Sequence, residues 1–551
     1  MKNNNKLLAC PYVIWMVLFT IIPLGIVVYY ALTDSITGQF TLSNLSGMGT
    51  YLPIFLRSIW LSLFASLICL IIGYPVAYFI AQCKPLTQRF LEMLIMLPMC
   101  MSFLLRTLAW VGMLEDTGII NTLLQHIGIS PLPLIRTNGA VILGMVYNYL
   151  PYMILPLYTV IMKIDNRLVE AALDLGCRPS QVFSRVILPL SGPGILSGLT
   201  MVFVPAVSTF YISQKLGSTG TTPYGGRHPG NGRCDRVPVQ DRLQPEPRRG
   251  HESGVDDLDL YLCRRYEPLR RGRWRGGHQG MKHFNRTVTV LVFIFLYIPM
   301  IVLAVASFNT GTDIASFKGF TFRQYANLFR DGTLLTLLRN SVIIALLATL
   351  ISTIVGTMAA VGIHSMKGRL RSAVMTMTNI PMTNPDIVTG VALALLFAFA
   401  GTILKTNSVL GFWTLLIAHI TFNLPYVILN VMPKLQQMDK DLVEAALDLG
   451  CTPFQSFTKV VIHEIMPGII SGALMAFTMS LDDFVISYFV TGSSFITLPV
   501  EIYNYTKKPI QPKIYALFTL MFIVILVLMV VMNLLQAKSE KNRQQPRRVR
   551  A

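Results

Sequence analysis

Residues Leu168–Cys177 read LVEAALDLGC, and Leu442–Cys451 read LVEAALDLGC again, 274 positions further along the chain. The same offset pairs Pro179 with Pro453, Gln181 with Gln455, Phe183 with Phe457, Pro193 with Pro467 and Gly198 with Gly472. Upstream it pairs Leu150-Pro151-Tyr152 with Leu424-Pro425-Tyr426. Ten identical residues in register are no chance match, so the chain holds two copies of one module, each far longer than a solenoid repeat. Read as a helix, Leu168, Ala171, Ala172 and Leu175 form one apolar stripe at i, i+3, i+4 and i+7. Glu170 and Asp174 stand four apart on another face. Gly176 and Gly450 suit the left-handed residue that closes a helix. Two identical copies at one topological place argue for a shared partner surface rather than a plain connector.

What surrounds this loop decides the fold class. Of 551 residues, 53% are apolar and only 13% charged, where soluble domains carry roughly 25% charge. The mean hydropathy of +0.56 agrees. Stretches such as 12–30, 59–81, 287–306, 341–363 and 515–535 are nearly free of charge, long enough to cross a hydrocarbon core of ~30 Å as helices. The chain reads as an all-α polytopic membrane protein with about eleven spans. In the first module they fall near 10–31, 58–81, 91–113, 138–162 and 193–213; in the second, near 286–307, 341–363, 374–400, 408–431, 467–490 and 514–536.

Five spans against six leaves one missing, and its place is near 239–262, where VQDRLQPEPRRGHESGVDDLDLYL would enter no bilayer. The stretch Gly217–Gly280 is foreign in composition: it holds 12 arginines and no lysine, while the rest of the chain has 17 of each. Gly, Pro and Arg in this balance are what GC-rich coding DNA gives when read out of frame. A disordered nucleic-acid segment and a natural linker are alternatives, but Tyr224, Tyr261, Tyr266 and Trp274 are not spaced as stacking platforms. The expected division is therefore 1–216, a first module with five of six helices; 217–280, a non-native or linker segment; and 281–551, a second module starting at Met281.

A net charge of +19 would suggest nucleic acid in a soluble chain, but in a membrane protein it follows from basic cytoplasmic loops. Lys84, Arg89, Lys163 and Arg167 mark alternate loops of the first module as cytoplasmic, and Lys367, Arg369, Lys434 and Lys440 do so in the second. An odd number of spans before the second module would put its repeated loop on the wrong side, so the chain as written is expected to be inverted there and poorly active. The eight cysteines make no metal or disulfide pattern. Leu7-Leu8-Ala9-Cys10 lacks the apolar run that precedes a lipoprotein cleavage site, so the first helix reads as a retained anchor.

At Glu170-Ala171-Ala172, Gly176 and Ile187-Leu188-Pro189 the chain resembles the EAA loop of binding-protein-dependent ABC importer permeases. The second copy keeps Glu444-Ala445-Ala446 and Gly450 but has Ile462-His463 where that motif ends in Leu-Pro. The stretches Arg106–Leu114 (RTLAWVGML), Ser208–Gly217 (STFYISQKLG) and Ser480–Gly492 (SLDDFVISYFVTG) are similar to the paired permeases of spermidine/putrescine importers. The resemblance covers both modules and implies two type I (MetI-like) permease units in the bacterial inner membrane. It also implies that Glu170, Ala171, Ala172, Gly176, Glu444, Ala445, Ala446 and Gly450 belong to coupling helices seated on ABC ATPase subunits. A periplasmic substrate-binding protein would deliver the solute, and alternating access would carry it through. No G-x-x-x-x-G-K-[ST] loop occurs, so the ATPase is expected on another chain. No cofactor, metal site or catalytic constellation is expected, and the only other partner is membrane lipid. A proton- or sodium-coupled transporter, the rival class, has no need of two docking loops.

Asp482 and Asp483 fall inside the fifth span of the second module, where an acid costs ~2.5–3.5 kcal/mol to insert. Such residues face a partner or a water-filled path, and an acidic wall would suit a polycation. The matching positions in the first module are Ser208 and Thr209. Asp386, in Asn384-Pro385-Asp386, reads as a helix cap; Trp110 and Tyr152 read as packing or interfacial aromatics; His364 and His463 stand alone.

Overall fold

The computed structural model describes residues 8–217, except 35–38, 43, 45–48, 50, 100 and 102, and residues 267–544, except 312–316, 406–408, 440 and 506–511. The principal helices of the first module are α1 (Cys10–Ala31), α2 (Leu52–Ala81), α3 (Pro85–Met99), α4 (Phe103–Leu114), α5 (Asn138–Ile161), α6 (Asn166–Asp174), α7 (Gly192–Ser208) and α8 (Phe210–Leu216). The second has α9 (Glu267–Ser307), α10 (Gly332–Ser365), α11 (Gly368–Thr383), α12 (Asp386–Leu404), α13 (Phe412–Gln437), α14 (Asp441–Asp448), α15 (Ile462–Asp482), α16 (Val485–Val490) and α17 (Pro512–Gln544). Among the described residues, eight helices are long and apolar enough to cross a membrane, ten if two bent pairs count as spans, and Pro512–Val527 is a shorter apolar helix. These eleven segments fall five and six to the modules, as the hydropathy pattern predicts.

Several spans are broken where the sequence reading has them whole. The third span of the second module stops at Thr383 and restarts at Asp386, because Pro385 cannot donate to the ladder and holds Asn384 in the extended region. The fifth spans break at Thr209 and at Asp483, again 274 positions apart. The expected segment 217–280 lies outside the described residues from 218 to 266; its last residues belong to the backbone of α9, which begins at Glu267.

In each module the fourth span packs against both the second and the fifth, and glycines set how closely the fifth approaches it. A Cβ on Gly198 would stand 2.7 Å from the Met153 sulfur, and one on Gly472 would stand 3.1 Å from Val427 Cα. One turn earlier, Gly194 meets the Pro156 carbonyl and Gly468 meets the Asn430 carbonyl. The two GxxxG pairs and the residues they meet are all repeat-related. Small residues let the helix backbones pack closely where lipid supplies no hydrophobic drive.

The first spans are exchanged. Ala9, Tyr12 and Met16 of α1 are buried in the core of the second module with Ile344, Ala360 and Leu424. Val292 and Leu296 of α9 are buried in the first module's core with Tyr147, Leu150 and Met153. Polar bonds fix both: Tyr12 Oη donates to Thr378 Oγ1 at 2.7 Å and Trp15 Nε1 to Thr421 Oγ1 at 3.0 Å. In the other direction Tyr147 Oη donates to the Leu296 carbonyl at 3.1 Å and Tyr297 Oη to the Leu94 carbonyl at 2.9 Å.

The exchange brings both repeated loops to one end of the bundle. Gly362, just before the basic loop Lys367–Arg371, lies directly against Ala9, so the beginning of α1 and that loop share one end of the bundle. Counting spans from each, both repeated loops lie at that same end. In the structure the packing between the modules places both loops at one end of the bundle.

Candidate functional site

The two repeated loops adopt the same local structure. Asp165 caps α6 by accepting the Arg167 N–H at 2.9 Å. At the other end Gly176 N–H donates to the Leu173 carbonyl at 2.9 Å and Cys177 N–H to the Ala172 carbonyl at 3.1 Å. The second copy repeats this, Gly450 to Leu447 at 2.9 Å and Cys451 to Ala446 at 3.1 Å. This is the Schellman closure, which needs a left-handed residue; Gly176 and Gly450 supply φ of +88° and +82°. The expected stripe faces outward: Leu175 and Leu449 are each 86% exposed, and Leu168 and Leu442 are about half exposed. Glu170, Ala171, Glu444 and Ala445 are exposed with them, Ala172 is half-buried and Ala446 is buried against the bundle. A π-turn follows each loop, Phe183–Ile187 and Phe457–Val461, and leads into the fifth span.

The second site lies between the modules, at the breaks. Asp482 and Asp483 are not mid-helix as the sequence suggests: α15 ends at Asp482, and Asp483 is extended with ψ of 120°. Asp483 Oδ2 accepts both the N–H and the Oγ–H of Ser487 at 2.8 Å, holding the start of α16. Asp482 faces the other module, where its Oδ2 accepts the Phe103 N–H of α4 at 3.3 Å. In the first module Thr209 takes the corresponding place, and its Oγ1 accepts from Tyr149 Oη at 3.0 Å.

Asp386 is the first residue of α12, and the cap position is Pro385, so the expected side-chain cap is not made. It is exposed and lies within electrostatic range of Asp483, Tyr149 and Tyr426. Tyr152 and Tyr426, the same position of the two repeats, lie within electrostatic range of each other, which puts the pseudo-two-fold axis between them.

His419 is the residue the sequence reading passed over. It is 2% exposed, with Nδ1 2.6 Å from Ser480 Oγ and Nε2 2.9 Å from Ser487 Oγ. The Asp483 carboxylate stands 3.7 Å from Nε2. Ser487 spends its one hydroxyl proton on Asp483, so Nε2 carries the proton and donates to Ser487 while Nδ1 accepts from Ser480. One ring thus ties both sides of the break. No group of three metal-ligating side chains occurs among the described residues. Trp110 packs against Tyr147 and Phe295 at centroid distances of 5.6 and 5.4 Å.

Residues 70–228 and again 352–544 match the binding-protein-dependent transport system inner membrane component family. The chain belongs to that family. Among its relatives, the spermidine/putrescine transport system permease protein PotC of Haemophilus influenzae is 39% identical over 249 residues, covering 45% of this chain and 95% of that protein. The putrescine transport system permease protein PotI of Escherichia coli is 36% identical over 258 residues, covering 46% of this chain and 92% of that protein. PotB of Haemophilus influenzae is 38% identical over 228 residues, with coverages of 39% and 79%. Each relative spans under half of this permease, as expected of a chain with two modules. It is a multi-pass inner-membrane transport component, and its relatives are permeases rather than enzymes.

Proposed function

We propose that this permease carries polyamines across the inner membrane, driven by ATP hydrolysed on separate ABC subunits. The observation that carries the reading is the pair of identical, Schellman-closed helices at one end of the bundle, each with an exposed leucine face. Two equal docking helices fit two equal motor subunits, and an ion-coupled transporter would need neither. Glu170, Ala171, Ala172 and Gly176, with Glu444, Ala445, Ala446 and Gly450, form those docking elements. A periplasmic binding protein delivers solute at the opposite end.

The acidic groups where the modules meet support a cationic cargo. Asp386, Asp482 and Asp483 put negative charge where a polyamine would lose its hydration, and Tyr149, Tyr152 and Tyr426 offer ring faces that attract ammonium groups. The relatives named for spermidine and putrescine point to the same cargo. Segments 1–216 and 281–551 are the two permease units, and 217–280 is a segment read out of frame between them. Uptake of labelled spermidine, in cells lacking other polyamine importers and supplied with the partner ATPase and binding protein, tests the reading. Uptake should require the ATPase and persist with an uncoupler; uptake that continues without the ATPase and stops with the uncoupler would refute it.

A further inference from the structure

The connection 308–331 joins the outer ends of two spans, Ser307 of α9 and Gly332 of α10, so chain continuity holds it at the bilayer boundary. It contains a small hairpin, in which the Thr310 N–H donates to the Gly319 carbonyl at 3.0 Å and the Thr321 N–H to the Phe308 carbonyl at 2.7 Å. A short helix, Arg323–Arg330, follows. One side of that helix is pinned to the protein. The Tyr325 and Ser307 hydroxyls lie 2.8 Å apart, and Leu328 is buried in a core with Met300, Leu334 and Tyr515.

The other side carries two parallel rows. Residues seven apart on a helix lie within about 20° of each other, so Phe322 and Phe329 share one line and Arg323 and Arg330 the next. All four are exposed. Phe320 is exposed as well and stands edge-on to Phe322 at a centroid distance of 5.1 Å. An apolar patch of this kind marks a contact surface, and it continues the outward face of α9, where Ile301 and Val305 are more than half exposed. Beside the arginine row lies a pocket of about 620 Å³ lined by Gln324, Asn327, Arg330, Asp331 and Lys513. Lys513 is paired with Asp331 at 2.7 Å, which leaves Arg330 as the excess charge of the pocket. The first module closes its first span in the same way. Thr33 bridges Phe40 as Asn309 bridges Phe320, and Phe40 too is exposed.

We propose that the helix Arg323–Arg330 binds an anionic phospholipid of the outer leaflet: Phe322 and Phe329 enter the acyl region, and Arg323 and Arg330 hold the headgroup phosphate. Rings and cations in adjacent rows match the two layers of a leaflet edge, acyl chains and phosphates. A guanidinium meets a phosphate through paired N–H donors, and its apolar stem lies along the boundary while its head stays wet.

The test uses the full chain freed of its eight cysteines, with Phe329→Cys carrying a fluorophore, in discs of phosphatidylcholine or phosphatidylglycerol with and without brominated acyl chains. Bromine should quench the label in both lipids, and several-fold more strongly in phosphatidylglycerol. Arg323→Gln/Arg330→Gln should abolish that preference, and Arg323→Lys/Arg330→Lys should keep most of it. Both double variants change exposed side chains only and should melt like the parent in phosphatidylcholine, so a lost preference reads the headgroup and not the fold. Soluble sn-glycerol 3-phosphate should change nothing. Absence of quenching overturns the proposal, as does equal quenching in the two lipids or a preference that survives in Arg323→Gln/Arg330→Gln. Loss of the preference on adding sn-glycerol 3-phosphate would assign the arginines to a free phosphate, and shielding of the label only by an added periplasmic binding protein would assign the rings to that protein; either result overturns the lipid site.

Discussion

The Tyr12 hydroxyl, on the first span of one module, donates to Thr378 of the other module at 2.7 Å. Thr378 passes its own proton to the Val374 carbonyl at 2.9 Å, so the tyrosine completes a buried chain that neither module could form alone. The exchange of α1 and α9 thus joins the modules through their cores. Tyr12→Phe should remove one buried bond, worth about 1 kcal/mol, and lower the melting temperature of the full chain slightly. Thr378→Val in the same background should add less than it does alone, because the two share one interaction.

The close approach of the fourth and fifth spans should be intolerant of added volume. Gly472→Val would push its branched side chain into Val427, whose Cα is already 3.1 Å from a hypothetical Cβ, at a cost of about 1–3 kcal/mol. The repeat-related Gly198→Val should behave likewise. Thermal unfolding in detergent reads both, and an unchanged melting temperature would show that the spans can spread freely.

The docking loops depend on their left-handed glycines. Gly176→Ala and Gly450→Ala meet no neighbour within 4 Å, so their whole effect is backbone strain of roughly 1–2 kcal/mol at a surface helix end. The expected phenotype is reduced transport with little loss of global stability. Loss of stability equal to the loss of transport would contradict a docking role.

His419 should be replaceable by glutamine and not by alanine. Glutamine keeps a long donor toward Ser487, whereas alanine leaves the buried Ser480 and Ser487 hydroxyl groups short of a partner, at about 1–3 kcal/mol. Spermidine uptake and melting temperature should fall together in His419→Ala and recover in His419→Gln.

At the outer end, Lys513 Nζ lies 2.7 Å from Asp331 Oδ2, and Asp331 also caps α10 by accepting the Thr333 and Leu334 N–H groups at 3.1 Å. The hydrogen bond from Lys513 is the main cause holding this carboxyl below its usual range. For a depressed acid, the stabilisation is complete above the unfolded pKa of about 4 and is lost as pH falls through the lower folded value. The pair is partly exposed and open to solvent screening, so the effect is small. Asp331→Asn should lower the melting temperature at neutral pH and flatten its dependence on pH below about 4.

What the sequence made legible was whatever repeats or stays apolar along one segment. The repeat at Leu168 and Leu442, the eleven apolar segments and the outward stripe of the docking helices all follow from local pattern. The breaks at Thr209 and Asp483 escaped it, because LDDF is as compatible with a helix as with an interruption until Ser487 is seen to bond Asp483. His419 escaped for the same reason: its partners Ser480 and Ser487 lie 61 and 68 positions away. The exchange of first spans left no local trace. Gly194-x-x-x-Gly198 and Gly468-x-x-x-Gly472 were legible in principle as close-packing motifs.

The central claim is that both docking helices face one side of the membrane, ready for two motor subunits. In a chain freed of its eight cysteines, single Leu175→Cys and Leu449→Cys variants place a thiol on the most exposed residue of each loop. Labelling with a membrane-impermeant maleimide in inside-out and right-side-out vesicles reads the side directly. Both thiols should react in inside-out vesicles and be protected in right-side-out ones. Labelling of Leu175→Cys from one side and Leu449→Cys from the other would contradict the account.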